Sequence, residues 1–188
     1  MRSHREGGDP QRLTMNSRLV YIAMGSNVGD RAAALARAVE EMNRAGLRVL
    51  RQSSLYATQP VGGPPQAWFL NAVVEAETDW MPLRLLHALQ AIERSLGRRR
   101  MVIRGPRTLD LDVLFYGGSV IRSRELQVPH PHLAQRRFVL APLAELAPAL
   151  SHPLLHKTMA GLLAETTDSS QVRRWRPSPA EAKAGRGD

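Results

Sequence analysis

The sequence predicts one α/β domain built on an antiparallel sheet with helices packed against it. Short apolar or alternating runs mark four strands, and two segments place apolar residues on one face at helical spacing. Their order along the chain is strand, helix, strand, strand, helix, strand. That order is typical of the ferredoxin-like βαββαβ core. The length of 188 residues fits a single domain of this kind.

Each element has its own local signature. Alternating or continuous apolar runs predict the strands, and an apolar stripe predicts each helix. Asp30 is suited to cap the first helix and Gly46 to end it, whereas the Pro and Gly residues of 59–67 and 97–107 predict loops. In chain order, the six elements are expected at residues 19–24, 30–45, 47–58, 69–77, 82–96 and 109–116.

The domain is expected to occupy residues 17–175, with tails on both sides. Residues 1–16 form a polar N-terminal tail and residues 176–188 a disordered C-terminal tail, because neither carries enough apolar side chains to offset the entropy of ordering. Within the domain, the part that follows residue 118 should add a short hairpin and further helical pieces.

The composition excludes several classes of protein. Cysteine is absent, which rules out a disulfide scaffold, a thiolate metal site and a cysteine nucleophile. No apolar stretch approaches the roughly 20 residues that a membrane helix needs. The first segment, MRSHREGGDPQRLTMNS, has no apolar core and does not resemble a secretory signal. We therefore expect a cytoplasmic protein that does not contact a membrane.

Positive charge is concentrated in one segment. The chain has 26 basic and 17 acidic residues, a net charge of +9, and 24 of the basic residues are arginine. Six arginines fall between Arg94 and Arg107. Such a patch attracts a polyanion, which is a nucleic acid, an anionic lipid surface or a nucleotide polyphosphate. The alternative is that arginine simply replaces lysine throughout this proteome.

Asp110 and Asp112 are the sharpest candidate site. They lie two residues apart on a predicted strand, so both carboxylates project from one face while Leu111 points into the core. Two neighbouring carboxylates repel each other unless a cation lies between them, and Mg²⁺ prefers such oxygen ligands together with substrate phosphates. The alternative is a solvated strand face with two acids on it.

The arginines before this pair strengthen the phosphate interpretation. Arg107 lies three residues before Asp110, and Arg98, Arg99 and Arg100 precede it in the loop. In phosphoryl transfer the protein mainly positions groups and neutralises charge on the transferred unit. A metal–phosphate site with counter-charges and a simple ion pair between Arg107 and Asp110 are both compatible with the local sequence.

A second basic turn follows in VPHPHLAQRRF. His130 and His132 precede Arg136 and Arg137, and this combination favours an anion. The two histidines also have the spacing of zinc ligands, but no cysteine or obvious third ligand accompanies them. Farther upstream, Gly25-Ser26-Asn27 lacks the phosphate-loop pattern and is interpreted as a tight turn between strand and helix.

The few aromatic residues offer a site for a flat ring. Phe69 and Asn71 alternate along a strand and therefore share a face, and Phe138 follows the second basic turn. Two rings are able to sandwich a heterocycle, and an amide beside them offers both a donor and an acceptor to its edge. The alternative, which the residues alone favour, is that these three residues are parts of the core.

Together these segments resemble the 6-hydroxymethyl-7,8-dihydropterin pyrophosphokinase family. The resemblance covers about residues 19–175. The family signature is GPRTLDLDVL, and the segments that accompany it in order are YIAMGSNVGDR, SSLYATQPVGG, FLNAVV, QAIERSLGRRR and VPHPHLAQRRFVLAPLAELAP.

The resemblance implies a ferredoxin-like fold and transfer of the β,γ-diphosphate of ATP to the hydroxymethyl group of the pterin. It implies that Asp110 and Asp112 bind two Mg²⁺ ions and that the catalytic residues are Arg98, Arg107, Asp110 and Asp112. The residues implied to bind ATP are Gln90, Glu93, Arg100, Arg107, Val113, His130 and Arg136. Those implied to bind the pterin are Thr58, Gln59, Val61, Phe69, Asn71 and Phe138.

Some positions depart from the family pattern. Ile103 and Arg104 stand where a basic residue and then an aromatic residue or Asn usually precede the signature Gly. This departure leaves open a paralogue that binds ATP or pterin without activity. An RNA-binding module is a third candidate because it shares the element order, but its aromatic-rich strand motif is absent. We expect a monomer that binds these two small-molecule substrates and no nucleic acid.

Overall fold

Eight strands and four α-helices are found in the described part of the computed structural model, which comprises residues 17–97 and 105–177. A short 3-10 turn, Leu133–Gln135, precedes the third helix. The strands are β1 Arg18–Ser26, β2 Arg48–Gln52, β3 Tyr56–Thr58, β4 Phe69–Thr78, β5 Asp110–Tyr116, β6 Ile121–Arg122, β7 Gln127–Val128 and β8 Val172–Arg174. The helices are α1 Arg31–Ala45, α2 Pro82–Ser95, α3 Arg137–Leu146 and α4 Met159–Glu165.

The main sheet has the order β5-β1-β4-β3-β8, and β2 pairs with the other half of β4. All of these pairings are antiparallel. β1 therefore lies between the last core strand and β4, which is the arrangement expected of a ferredoxin-like core. The strands β6 and β7 form the predicted short hairpin as a separate two-stranded sheet.

The strand expected over 47–58 is divided into β2 and β3. At the break, Ser53 donates its N–H to the carbonyl oxygen of Val73 at 2.9 Å, but the Ser53 hydroxyl accepts the N–H of Val73 at 3.0 Å. A side-chain oxygen thus replaces the backbone acceptor that a continuous ladder would use. Serine competes with backbone pairing in this way, and the strand pattern of the sequence does not reveal it.

The sheet carries helices on both faces. On one face α1 and α2 bury Val20, Ile22 and Met24 of β1 together with their own apolar stripes. On the other face α3 and α4 cover Tyr21 and residues of β4 and β5. Alternate residues of β1 thus enter two different cores, as the two-residue period of a strand requires. The helices α3 and α4 on the second face are the helical pieces expected after residue 118.

The ends of α1 agree with the sequence. Asp30 accepts the N–H of Ala33 at 3.0 Å, and Gly46 ends the helix with a φ of 100°. That left-handed conformation favours glycine because it has no Cβ. One boundary differs, because Gly25 and Ser26 still belong to β1 and the turn begins at Asn27. The polypeptide therefore stays extended up to the level of Asp110.

The last strand, β8, was not predicted. It pairs with β3, with Val172 opposite Thr58 and Arg174 opposite Tyr56. Just beyond it, the N–H of Trp175 donates to the carbonyl oxygen of Leu55 at 2.8 Å. Only three residues long and largely polar, this strand carries too little pattern to be recognised in the sequence.

The expected tails lie almost wholly outside the described residues, which end at 177 and begin at 17. Over the described ranges, none of the helices has the length and apolar character needed to span a bilayer.

Candidate functional site

A cavity of about 390 Å³ opens on the face of the sheet that α3 covers. Its floor is a row of directly paired residues, Asp110 of β5, Gly25 of β1 and Asn71 of β4. The loop after β3 and the turn before α3 form its walls. Of the predicted site residues, those that line it are Arg107, Asp110, Asp112, His130, Arg136, Thr58, Gln59, Val61, Phe69, Asn71 and Phe138.

Asp110 and Asp112 project into the cavity from the start of β5. The strand buries Leu111 and Val113 in the core on the opposite side, so the alternation seen in the sequence holds over these four residues. Arg107 forms an ion pair with Asp110. Asp110 therefore takes part in the ion pair with Arg107 and also lines the cavity together with Asp112.

The neighbours of the two carboxylates leave room for a cation. Opposite Asp110 stands Gly25, and opposite Asp112 stands Ala23, so the adjacent strand presents almost no side chain. Over residues 17–97 and 105–177, no group of three or more His, Asp or Glu side chains could hold a metal ion. Two oxygen donors beside an open space fit Mg²⁺, which completes its shell with water and phosphate oxygens.

Asn27 fixes the backbone of Arg107. Its side-chain oxygen accepts the N–H of Arg107 at 2.8 Å, and its own N–H donates to the carbonyl oxygen of Arg107 at 3.1 Å. The amide nitrogen of Asn27 donates to Gln66 Oε1 at 2.9 Å and to the carbonyl oxygen of Ala67 at 3.1 Å. Asn27, only 5% exposed, thus joins the arginine segment to the loop that follows β3.

This role of Asn27 was missed. The local sequence predicts only a tight turn at Asn27, whose partner Arg107 lies 80 residues away. The available signal was an amide residue directly after a buried strand, next to Gly25. Asn at such a position has both a donor and an acceptor for distant backbone groups.

His130 is held as a neutral side chain. Burial lowers its pKa to about 4, aided by the charge of Arg136 and by His132 and opposed by Asp110. The Nδ1 atom accepts the N–H of His132 at 3.2 Å, so the ring proton resides on Nε2. At neutral pH His130 is therefore a hydrogen-bond donor with no charge of its own.

Aromatic side chains line the other half of the cavity. Phe69 and Phe138 line it, and the Arg136 guanidinium lies 5.8 Å from the centre of the Phe138 ring. Asn71 donates from Nδ2 to the Thr58 hydroxyl at 2.6 Å. This bond sets the orientation of the amide, so its oxygen points toward Gly25.

Gly25 leaves the space that this amide needs. A Cβ atom at position 25 would lie 2.6 Å from the Asn71 side-chain oxygen, closer than such atoms ever approach. Any larger residue would therefore displace the amide. The glycine in the sequence run GSN is required by this close approach and not by a positive φ.

Gln90, Glu93 and Val113 do not line the cavity. Gln90 is exposed on α2, and the Val113 side chain is 4% exposed in the core beneath α2. Glu93 is buried against β5, where its Oε1 accepts the N–H of Leu111 at 2.7 Å. The contact of these three residues with ATP stays a prediction. Arg98 and Arg100, like Ile103 and Arg104, lie outside the described residues.

Relatives of known name are similar to this chain over most of its length. A Bacillus subtilis (strain 168) 2-amino-4-hydroxy-6-hydroxymethyldihydropteridine pyrophosphokinase is 44% identical over 159 residues, which is 84% of this chain and 90% of that protein. The folic acid synthesis protein Fol1 of Pneumocystis carinii is 39% identical over 155 residues, or 82% of this chain. The chain spans only 21% of the length of that second relative.

The solved structures show the same fold. The wild-type HPPK-DHPS protein of Plasmodium falciparum superposes with a TM-score of 0.63 at 15% identity, over 79% of this chain and 44% of that one. The ferredoxin-like expectation is confirmed by this likeness and by the strand order. The RNA-binding interpretation finds no support among the relatives.

The family model described as 7,8-dihydro-6-hydroxymethylpterin-pyrophosphokinase (HPPK) matches residues 21–148. That segment contains β1 from residue 21 onward, β2 to β5, the hairpin and α3, and with them every described residue that lines the cavity. The match covers more than half of the chain, and the named relatives agree with it. The chain therefore belongs to the 7,8-dihydro-6-hydroxymethylpterin-pyrophosphokinase family.

Proposed function

We propose that this chain transfers the β,γ-diphosphate of ATP to the hydroxymethyl group of 6-hydroxymethyl-7,8-dihydropterin and releases AMP, a step of folate synthesis. The family is one of diphosphotransferase enzymes, and ATP is the co-substrate of the activity that names it. The proposal rests on one observation. A single cavity holds two carboxylates with an arginine at one end and two phenylalanines with an amide at the other.

The aromatic end binds the pterin. Phe69 and Phe138 stack on the two faces of the ring, which is how aromatic side chains recognise a flat heterocycle. Asn71 is oriented by Thr58 and offers its amide to the edge of the ring. Gln59 and Val61, in the segment that follows β3, close the cavity over the ring.

The charged end binds the phosphates. Asp110 and Asp112 would hold two Mg²⁺ ions, and these would neutralise charge on the phosphate oxygens. Arg107 and Arg136 contact the same oxygens, and guanidinium groups suit them because they donate two parallel hydrogen bonds. His130 donates from Nε2, and its low pKa leaves it unprotonated on Nδ1 throughout the neutral range.

The reaction is a direct displacement in which the chain supplies position and charge. The pterin hydroxyl oxygen attacks the β-phosphorus, a new O–P bond forms and the bond from that phosphorus to the α,β-bridging oxygen breaks. AMP leaves with that bridging oxygen, and the hydroxyl proton passes to solvent. Holding the two substrates in line supplies much of the rate of such a reaction.

The remaining expectations concern oligomeric state, partners and location. We also propose a monomer whose domain occupies residues 17–175, as expected from the sequence. The charged end and the aromatic end of the cavity match the two small-molecule substrates, so these are the expected partners and a nucleic acid is not. A cytoplasmic location agrees with the composition noted above.

The test is AMP formation from ATP and Mg²⁺, with and without the pterin. We expect AMP that depends on pterin and appears without ADP. The variant Asp112→Asn keeps the size of the side chain and removes its charge, so turnover should fall by about 100-fold or more, the scale of losing one electrostatic group at a phosphoryl site.

Asp79→Asn is the matched control. Asp79 is an exposed carboxylate just beyond β4, at the end of that strand away from Phe69 and Asn71. Its loss should leave turnover within twofold or so of the wild type, the variation expected of a surface substitution. Undiminished turnover in Asp112→Asn would show that Asp112 does not bind the metal. If the wild type formed no pterin-dependent AMP, the chain would be the inactive paralogue instead.

A further inference from the structure

The segment that follows α4 contacts both walls of the cavity. It lies beyond residue 148, where the match to the family model ends. One wall is the end of β3 and the residues after it, including Thr58 and Gln59. The other wall is the start of α3, with Arg136 and Phe138. These two walls are about 80 residues apart in the sequence and belong to different elements.

Asp168 caps α3 from outside the helix. Its Oδ2 accepts the N–H of Arg137 at 2.8 Å, and its Oδ1 accepts the N–H of Ser170 at 2.9 Å. The residue at the usual cap position, Arg136, makes no side-chain cap bond. The first turn of a helix has N–H groups without intrahelical partners, and a carboxylate there satisfies one of them and suits the helix dipole.

The charge of Asp168 is kept by these bonds. Burial raises the pKa of its carboxyl, but the hydrogen bonds from Ser170 and Arg137 outweigh burial and hold the pKa below its usual value. The acceptor is therefore ionised at neutral pH.

The same segment then joins the opposite wall. The N–H of Gln59 donates to the carbonyl oxygen of Gln171 at 3.0 Å, and Val172 of β8 pairs with Thr58. One residue farther on, the Arg173 guanidinium lies 5.7 Å from the centre of the Trp68 ring, next to Phe69. Between Asp168 and Gln171 only two residues intervene, so the two anchors are closely coupled.

We propose that residues 168–174 form a brace that holds the two pterin-side walls of the cavity at a fixed separation, with Asp168 as its positioning residue. The inference rests on the proposed function for the identity of the ring. Neither Asp168 nor the backbone of Gln171 lines the cavity, so the brace acts through Phe138 on one side and Thr58 and Gln59 on the other. Its loss should weaken binding of the pterin more than that of ATP, because Phe138, Thr58 and Gln59 face the ring and only Arg136 of these wall residues faces phosphate.

The test compares Asp168→Ala, Asp168→Asn and the wild type. Equilibrium titration gives the Kd for the pterin without turnover, and steady-state assays give KM for pterin and for ATP. In Asp168→Ala we expect the pterin Kd and KM to rise about fivefold, the size expected from losing one helix cap, and KM for ATP to rise less. Asp168→Asn should restore most of this, because Asn is also a good cap residue.

Thr158→Ala is the matched control. Thr158 caps α4 by accepting the N–H of Gly161 at 3.1 Å, and α4 contributes nothing to the described lining of the cavity. Its loss should lower the stability of the protein about as much as the loss of Asp168 does, with pterin binding unchanged. Thermal denaturation of both variants gives that comparison.

The brace is refuted if Asp168→Ala leaves the pterin constants unchanged, or if Thr158→Ala raises them equally. A rise in KM for ATP equal to that for pterin would also overturn it, since the effect would then not be greater at the pterin end of the cavity. A wild-type chain that binds pterin and forms no AMP would refute the proposed function alone, and the Kd values would still decide the brace.

Discussion

Asn27 carries four hydrogen bonds at the meeting point of three segments. It links the end of β1 to Arg107 on one side and to the loop at Gln66 on the other. Because Arg107 is fixed through its backbone, the guanidinium extends from a defined point toward Asp110. A buried amide satisfied in this way is costly to remove, since each partner loses its bond without gaining water.

The variant Asn27→Ala should therefore lose both stability and activity. The N–H of Arg107 would stay buried without its acceptor, which costs about 1–3 kcal/mol in unfolding free energy. The turnover number should fall by about tenfold or more, because small displacements of a group at the reaction centre cost that much. Urea denaturation and the AMP assay measure the two effects.

Asn43→Ala provides the comparison. Asn43 also bonds two backbone groups, accepting the N–H of Val49 at 3.0 Å and donating to the carbonyl oxygen of Val39 at 3.1 Å. It lies at the end of α1, outside the described lining of the cavity. Its loss should lower stability and leave turnover unchanged. Equal loss of turnover in both variants would show that Asn27 acts only on stability.

At the scale of elements, α2 is joined to β5 by one buried carboxylate. Glu93, near the C-terminal end of α2, is 3% exposed, and its Oε1 accepts the N–H of Leu111 at 2.7 Å. Leu111 stands between Asp110 and Asp112. Through this bond α2 holds the start of β5 at Leu111. It does so from the face of the sheet opposite to the Asp110 and Asp112 carboxylates.

Glu93→Ala should loosen that junction. The N–H of Leu111 would lose its acceptor inside the core, so the unfolding free energy should fall by about 2 kcal/mol and turnover should fall with it. Chemical denaturation and AMP formation are again the measurements. Glu125→Ala removes a carboxylate whose side chain is 61% exposed, and it should change neither quantity. A Glu93 variant as stable and active as the Glu125 variant would contradict this account.

At the scale of the whole molecule, the sequence predicted what depends on local pattern. Period-two alternation placed Asp110 and Asp112 on one face, and Asp30 and Gly46 marked the ends of α1. The division of 47–58 and the strand β8 were not predicted, because they depend on partners that the local pattern does not name. Asn27 was missed for the same reason, since its bonds reach segments 39 and 80 residues away.

His152 links the stability of the whole molecule to pH. It is 6% exposed, and its ring contacts that of Phe115 edge-on with centroids 5.8 Å apart. Its Nδ1 accepts the N–H groups of Leu154 at 3.2 Å and of Leu155 at 3.3 Å. Burial lowers the pKa of His152 below its ordinary value, so the folded protein keeps this ring neutral.

The sign of the effect follows from proton binding. Below about pH 6.5 the unfolded chain binds a proton at this residue more readily than the folded chain does, so the unfolding free energy falls as the pH falls. One such proton amounts to at most about 1.4 kcal/mol per pH unit. Above that pH the contribution of His152 is constant, because the ring is neutral in both states.

His152→Asn should flatten this dependence. Asn places an acceptor near the position of Nδ1 and does not titrate, so between pH 7 and 5, roughly the range where His titrates, its unfolding free energy should fall less steeply than that of the wild type. The unfolding free energy is measured by urea denaturation at each pH. If it fell equally steeply in the wild type and in His152→Asn, the folded protein would bind a proton at His152 as readily as the unfolded chain, and this prediction would be wrong.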